Sequence, residues 1–532
     1  MKMGKKGLIG IIVAVVLVVG AVVGFLLWKN AQPKGIMVEV STLPDSLNPV
    51  LEQNTCGLNA DELLFDGLTN FEVDSESGAL TTELALAQSI EQDPVTKKTY
   101  SVLLNDVTWH DGTPVTAADV VYSYEAYTSE SNASPKRDYL MSFIESVTEV
   151  DEKNLTIEFK NPIPQYNAYP VLTFKIIPCK YNGLDMDVDL RSGDNERKFA
   201  TAPIGTGPFK LTSWEIGKWL TFDANGMYFK KVPQADNLVI KRVIDPIIRM
   251  NDLRKGRANL VLETNPLDRS TVAKIPNVDI NSYMPYAFYE VAINTTLFKD
   301  ADARKAMALA LDKQQLIPGV TDQADGVVLN NGPFPSNLFT TTSAEYYNED
   351  VPNVLPHDSK KAKALSKSSG LEGQNAILLY PDSMGEFGAK LAEGIVKQLA
   401  TIGVNVEAKR TGDQVFKRMV YTEKSYELAL MYCEGFDNLY SSIGAYYRTK
   451  GSENVTGIND SGLNALFDQW EKEVDRKSWI DLTLQLNEKI CDICPALYLC
   501  SLEKDVYSRG LTNVAIATDN PFLSVEDWKF KN

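Results

Sequence analysis

The sequence predicts an α/β fold of several domains, preceded by one membrane-spanning helix. Three observations carry this. Residues 376–436 alternate strand AILLY, helix 385–402, strand VNVEA, helix DQVFKRMVY and strand ELALMY. Such alternation needs crossover connections, and hence parallel strand pairing. The chain has 532 residues, 44% hydrophobic and 23% charged, an ordinary globular composition. At roughly 100–200 residues per domain, about two to four domains are expected. Finally, Gly7–Trp28 runs for 22 residues without a charge. At about 1.5 Å per residue it spans a hydrocarbon core of about 30 Å.

Lys2, Lys5 and Lys6 precede the apolar run, and Lys29 and Lys34 follow it. The positive-inside rule then places the N-terminus in the cytoplasm and the body outside. A cleaved secretory signal is the competing reading. Its apolar core is shorter, about 7–15 residues, and ends at a small-residue cleavage site. No such site follows here, and the first Cys is Cys56, too far away to carry a lipid. An uncleaved single-pass anchor over residues 1–34 is therefore expected, with the body on the extracytoplasmic face of the cell membrane.

Behind the tether KNAQPKG, GIMVEVST (35–42) reads as a first strand. Strand-like runs recur at 100–105, 155–159, 209–214, 219–224 and 237–243, punctuated by Gly, Pro, Asn and Asp. Thr116, with Asp119 three residues on, caps a helix through Val120, Val121 and Tyr124. Asp302 opens a helix through ARKAMALALDKQQLI, rich in good helix formers. Helix 385–402 places Phe387, Leu391, Ile395, Leu399 and Ile402 on one face, and Gly403 follows as its C-cap glycine. The stretch 359–374 reads as a linker-like surface excursion with a Lys-rich helical start, and 463–494 as one long helical stretch.

In open α/β sheets, ligands bind beyond the carboxyl ends of the strands. The third strand of the 376–436 unit ends at Tyr432 and leads into Cys433-Glu434-Gly435-Phe436-Asp437-Asn438. Two acids beside an aromatic make this loop a candidate binding site; a solvated loop is the other reading.

Charge and motifs exclude other classes. Lys and Arg number 53 against 70 Asp and Glu, a net charge of −17. Residues 1–34 hold five Lys and no acid, so the remainder carries −22. Such a body repels phosphate backbones, and no nucleic-acid partner is expected. No GxSxG, HExxH or Ser/His/Asp pattern is present, so no enzymatic activity is expected. The two His, His110 and His357, have no ligand spacing, and His110 in HDGTPVT reads as part of a strand–turn–helix corner. Gly205-Thr206-Gly207-Pro208 lacks the P-loop pattern and reads as a turn. Cys491-x-x-Cys494 closes a helical stretch instead of opening one, which favours buried thiols or a local disulfide over redox or zinc chemistry. No cofactor is implied.

Several segments together resemble the extracytoplasmic solute-binding proteins of peptide-type ABC transporters, the oligopeptide- and dipeptide-binding family. They are 61–87, VTWHDGTPVTAADVVYSYEA (107–126), PIGTGPFKLTSWEIGKWLTFDANGMYF (203–229), EVAINTTLFKDADARKAMALALDKQQLI (290–317) and LNEKICDICPALYL (486–499). The resemblance implies a two-lobed periplasmic-binding-protein-like fold with an extra domain. Residues 35–65, 203–284 and 500–532 would form a discontinuous first lobe, 66–202 the extra domain inserted in it, and 285–499 the second lobe. It implies capture of a peptide between closing lobes by a monomer, and delivery to the permease subunits of an ABC transporter. A nickel chelate, an oligosaccharide or another small solute is the alternative ligand, and an anchored extracytoplasmic hydrolase the alternative function.

Peptide-binding members commonly hold the ligand ammonium with an Asp in the loop after the strand ending here at Tyr432. This sequence departs from that pattern, with Gly435 at the expected position and Glu434 and Asp437 on either side. The candidate ligand-binding residues are Tyr432, Cys433, Glu434 and Asp437, with Arg448 to meet a ligand carboxylate. Tyr286, beside Phe288 and Tyr289 near the expected crossing between lobes, joins them, as does Asn54 in the 51–59 loop. Core packing is the competing role for the aromatics, and exposed surface charge for Arg448.

Overall fold

Ile36–Val40 is an apolar strand at the centre of a seven-stranded sheet. Its pairings to Asn237–Arg242 and Leu260–Val261 are both parallel. Near-complete burial of its side chains matches a strand covered on both faces. From one edge the order is Phe209–Glu215, Trp219–Ala224, Asn237–Arg242, Ile36–Val40, Leu260–Val261, Lys504–Arg509 and Val278–Tyr283. The computed structural model describes residues 35–73, 80–262, 264, 268–321, 326–334, 352–434, 439–473 and 475–531. The apolar run Gly7–Trp28 lies outside them. Among the described residues no helix is long and apolar enough to cross a membrane.

A second sheet has six strands, ordered Val327–Leu329, Ala496–Leu502, Phe288–Ile293, Leu428–Cys433, Asn375–Pro381 and Asn405–Thr411. Asn375–Pro381 pairs in parallel with Asn405–Thr411 and with Leu428–Cys433, as the alternating 376–436 pattern requires. The period of two along each strand sorts its side chains between two cores. Val291, Ile293, Leu428 and Leu430 join Leu391 and Ile395 on one face. Phe288, Ala292, Met431 and Cys433 join Phe467 and Trp470 on the other.

The chain passes between the two sheets twice. Residues 284–287 join Val278–Tyr283 to Phe288–Ile293, and Glu503 joins Ala496–Leu502 to Lys504–Arg509. The expected boundary at 499/500 falls inside the strand Ala496–Leu502, which is buried throughout; the change of sheet comes at Glu503. A four-stranded antiparallel sheet, Ala87–Gln92, Thr99–Leu104, Asn154–Phe159 and Ile144–Glu149, lies within residues 66–202. Its Tyr100, Val102 and Ile157 belong to the same apolar cluster as Ile36, Val38, Phe209 and Phe222.

Local signals were mostly read correctly. Thr116 and Asp119 form a capping box on Ala117–Thr128. Gly403 has φ +80° where the helix Gly385–Ala400 gives way to the next strand. Two readings are corrected. The helix cap at the 300s is Asp300, whose side chain accepts from the Asp302 amide, and the helix stops at Ala310. A separate turn, Lys313–Leu316, is capped by Asp312. The long helical stretch is two helices, Ser461–Trp470 and Arg476–Ile493. The Lys-rich stretch starts with the expected helix, Ser359–Ser368, which buries Ala362 and Ser366.

Candidate functional site

Where the two sheets face each other, a cavity of about 400 Å³ opens between them. The strand Leu428–Cys433 brings Tyr432 and the following Glu434 to one wall, and Phe288–Ile293 brings Tyr289 beside them. Tyr289 and Tyr432 are direct cross-strand partners. Their ring centroids are 4.9 Å apart, tilted by 48°. The opposite wall holds Thr42, Thr55, Asn59, Tyr283, Lys504 and Asp519.

Lys504 joins the walls. Its ammonium lies 4.9 Å from the Tyr432 ring centroid and 2.8 Å from the Asp519 carboxylate. A cation over an aromatic face is attracted by the ring quadrupole. The Tyr283 hydroxyl also donates to Asp519, and the Asn59 amide donates to the Asp519 carbonyl at 3.3 Å. Nearby, Arg269 pairs with Asp505 at 2.5 Å and Glu503 at 3.5 Å. The exposed Glu434 is the second wall's carboxylate in the cavity. Burial pushes the phenols of Tyr432, Tyr289 and Tyr283 up, so all three stay neutral. The Tyr432 hydroxyl is buried and has no hydrogen-bond partner among the described residues. The cavity therefore offers aromatic surface, a neutral phenol and charges of both signs.

Glu434 also lines a second, outer cavity of about 890 Å³, between residues 138–167 and residues 444–473. Arg448 lies in its wall.

The expected residues fall into three groups. Tyr432 and Glu434 line the cavity, as does Tyr289. Asp437 lies outside the described residues. Cys433, Asn54 and Tyr286 do not line it, and Arg448 lines the outer cavity instead. Cys433 follows Tyr432, so the strand's alternation turns it to the opposite face. There it is fully buried and bonded to the Glu290 side chain. The Asn54 side chain caps the helix Thr55–Leu64 by accepting from the Cys56 amide. Tyr286 is half-buried against the second sheet's core and lines neither cavity. Arg448 is held 2.8 Å from both Asp468 and Glu471, with its guanidinium over Phe467. Asn59, at the end of the expected 51–59 loop, lines the cavity, while sequence reasoning missed Lys504, Asp519 and Tyr283. Each is an unremarkable polar residue locally, and only the chain's return to the first sheet brings them together.

The two histidines are accounted for by the backbone. His110 accepts from the Gly205 amide at Nδ1 (3.1 Å) and sits 3.0 Å from the Gly207 carbonyl at Nε2. Burial pushes its imidazole down to about 4. His357 Nδ1 is 3.0 Å from the Leu309 carbonyl. All six cysteines are free thiols. Among the described residues, no three His, Cys, Asp or Glu side chains converge as a metal site.

Known proteins share both the sequence pattern and the architecture. Di/tripeptide-binding protein 2 of Pseudomonas aeruginosa is 26% identical over 403 residues, 71% of this chain and 72% of that protein. The ABC transporter substrate-binding protein CtaP of Listeria monocytogenes superposes with a TM-score of 0.80 at 21% identity, covering 93% of this chain and 99% of that one. The oligopeptide-binding protein AppA of Bacillus subtilis, solved with a nonapeptide, gives 0.73 at 21% identity, over 94% of this chain and 100% of that one. The two structural likenesses establish the two-lobed fold. The profile of the bacterial extracellular solute-binding proteins, family 5, matches residues 81–454, and the chain belongs to that family.

Proposed function

We propose that this protein captures peptides in the cleft between its two lobes and delivers them to the permease of an ABC transporter. The observation that carries the reading is the inner cavity, where Lys504 and Asp519 of one lobe meet Tyr289, Tyr432 and Glu434 of the other. A peptide is zwitterionic, and this cavity presents both charges beside aromatic surface. Charge-assisted contacts of this kind are among the stronger hydrogen bonds. A ligand touching both walls stabilises the closed arrangement because it binds that state better. The peptide-binding names of its relatives support the same reading.

The lobe division belongs to this proposal: residues 35–65, 203–284 and the C-terminal segment against the second lobe from 285, with 66–202 inserted and the return to the first lobe moved from 500 to Glu503. So do a monomeric state, the absence of catalysis, and anchoring by Gly7–Trp28 at the extracytoplasmic face of the cell membrane. Asp437, beside Glu434 in sequence, remains a candidate for the ligand ammonium.

Native mass spectrometry of the protein purified without refolding tests the function. Released peptides support it. A retained sugar or metal chelate, together with no binding to a peptide panel in calorimetry, would reject the peptide assignment. Sodium carbonate washing of membranes tests the anchor: a spanning helix resists extraction, whereas a processed protein is released.

A further inference from the structure

We infer that the inner cavity selects peptides that carry a basic side chain. The inference rests on the peptide reading above and adds charge selection to it.

Four carboxylates line the inner cavity: Glu434 on one wall, Asp505 and Asp519 on the other, and Glu503 at the crossing between the sheets. Lys504 is the one cationic side chain among the described lining residues. Arg269 reaches this group from outside the lining, 2.5 Å from Asp505 and 3.5 Å from Glu503. Counted formally, these six groups leave two negative charges uncompensated. A zwitterionic peptide does not correct this, because its ammonium and carboxylate cancel. A Lys or Arg side chain on the peptide does.

Asp505 locates the imbalance. It is 3% exposed. The Arg269 guanidinium and the Ser282 hydroxyl (2.7 Å) both donate to its Oδ1. Its Oδ2 is buried and has no hydrogen-bond partner among the described residues. Leaving a buried carboxylate oxygen without a donor is unfavourable, and low-dielectric surroundings strengthen its pull on a cation. Lys504 is held by Asp519 at 2.8 Å, so Asp505 and Glu503 share the single guanidinium of Arg269. Clefts lined by one sign of charge focus the field and concentrate the opposite charge. Tyr283, Tyr289 and Tyr432 lie in the same lining, and their rings suit both the methylene stem and the cationic head of a basic side chain. An acidic side chain there would add to the repulsion, so selection works in both directions.

The test measures Kd by calorimetry with the full chain in detergent. The probes are Lys-Ala-Phe and Ala-Phe-Lys, each compared with counterparts bearing norleucine or Glu in place of Lys. In the tighter-binding series, the Lys peptide is expected to bind about tenfold more tightly than the norleucine one, and the Glu peptide more weakly than either. Glu503→Gln and Glu434→Gln each remove one cavity charge, and each should lower the Lys-to-norleucine ratio about threefold. The ratio is taken within each variant, so a general loss of affinity cancels. Asp106→Asn removes a fully exposed charge outside the cavity and should leave the ratio unchanged. A wild-type ratio near one, or a ratio that both cavity variants leave untouched, overturns the inference and leaves peptide capture standing. So does an equal loss with Asp106→Asn, because the charge of the whole protein would then be its source. Failure of every peptide to bind overturns peptide capture itself, and this inference with it.

Discussion

Glu290 should make the second lobe lose stability as the pH rises towards neutrality. It lies on the strand Phe288–Ile293, opposite Met431, and is 1% exposed. Its carboxyl accepts from the Tyr447 hydroxyl at 3.2 Å and bonds with the Cys433 side chain, directly behind Tyr432 and Glu434. Burial is the dominant influence and pushes the carboxyl up to about 7, against 4.5 for an ordinary Glu. Between those values the folded protein keeps a proton that the unfolded chain has lost. Stability is therefore highest below pH 4.5 and falls until the pH passes 7. At about 1.4 kcal/mol per unit, the full effect is about 3 kcal/mol. Glu290→Gln cannot ionise and can still accept from Tyr447. Urea unfolding of wild type and variant, at half-unit steps from pH 4.5 to 8, checks this. The variant should gain on wild type by about 3 kcal/mol across the window and stay level above it. Other titrating groups, His110 among them, cancel in the difference. A difference that does not change with pH would refute the reasoning, because it would mean that Glu290 ionises in place without cost.

His110 should act in the opposite sense. Its folded value of about 4 lies below the ordinary 6.5, so stability falls as the pH drops from 6.5 towards 4; His110→Gln should flatten the melting temperature over that range. Lys504→Met removes a half-exposed ion pair worth about 0–1 kcal/mol, so thermal stability should barely change, while affinity for a free-carboxylate peptide falls about tenfold and that for its C-terminal amide does not, as read by calorimetry. All six thiols should titrate in denaturant without reductant, and dithiothreitol should leave the melting curve unchanged.

What was legible in the sequence is local or nearly so. The capping box at Thr116, the apolar face of Gly385–Ala400 and the parallel pairing around Asn375–Pro381 all follow from short-range periodicity and side-chain chemistry. The structural role of His110 was likewise readable from its turn-rich surroundings. The candidate site was half legible. A strand-end rule found Tyr432 and Glu434, but treated their neighbour Cys433 as equivalent, although alternation along the strand sends it into the core. Asn54 and Arg448 carried the right chemistry for a ligand, yet their side chains are used by a helix N-terminus and by two carboxylates.

By itself, then, the sequence determined the α/β class, the order of most elements and one wall of the cleft, because hydrophobic period and turn chemistry act over a few residues. The tertiary structure alone decided the other wall. Lys504 meets Tyr432 and Asp519 only because the chain leaves the six-stranded sheet at Glu503 and re-enters the seven-stranded one. No local preference of Lys504 encodes that meeting; it is set by where two separately packed cores place the strand ends.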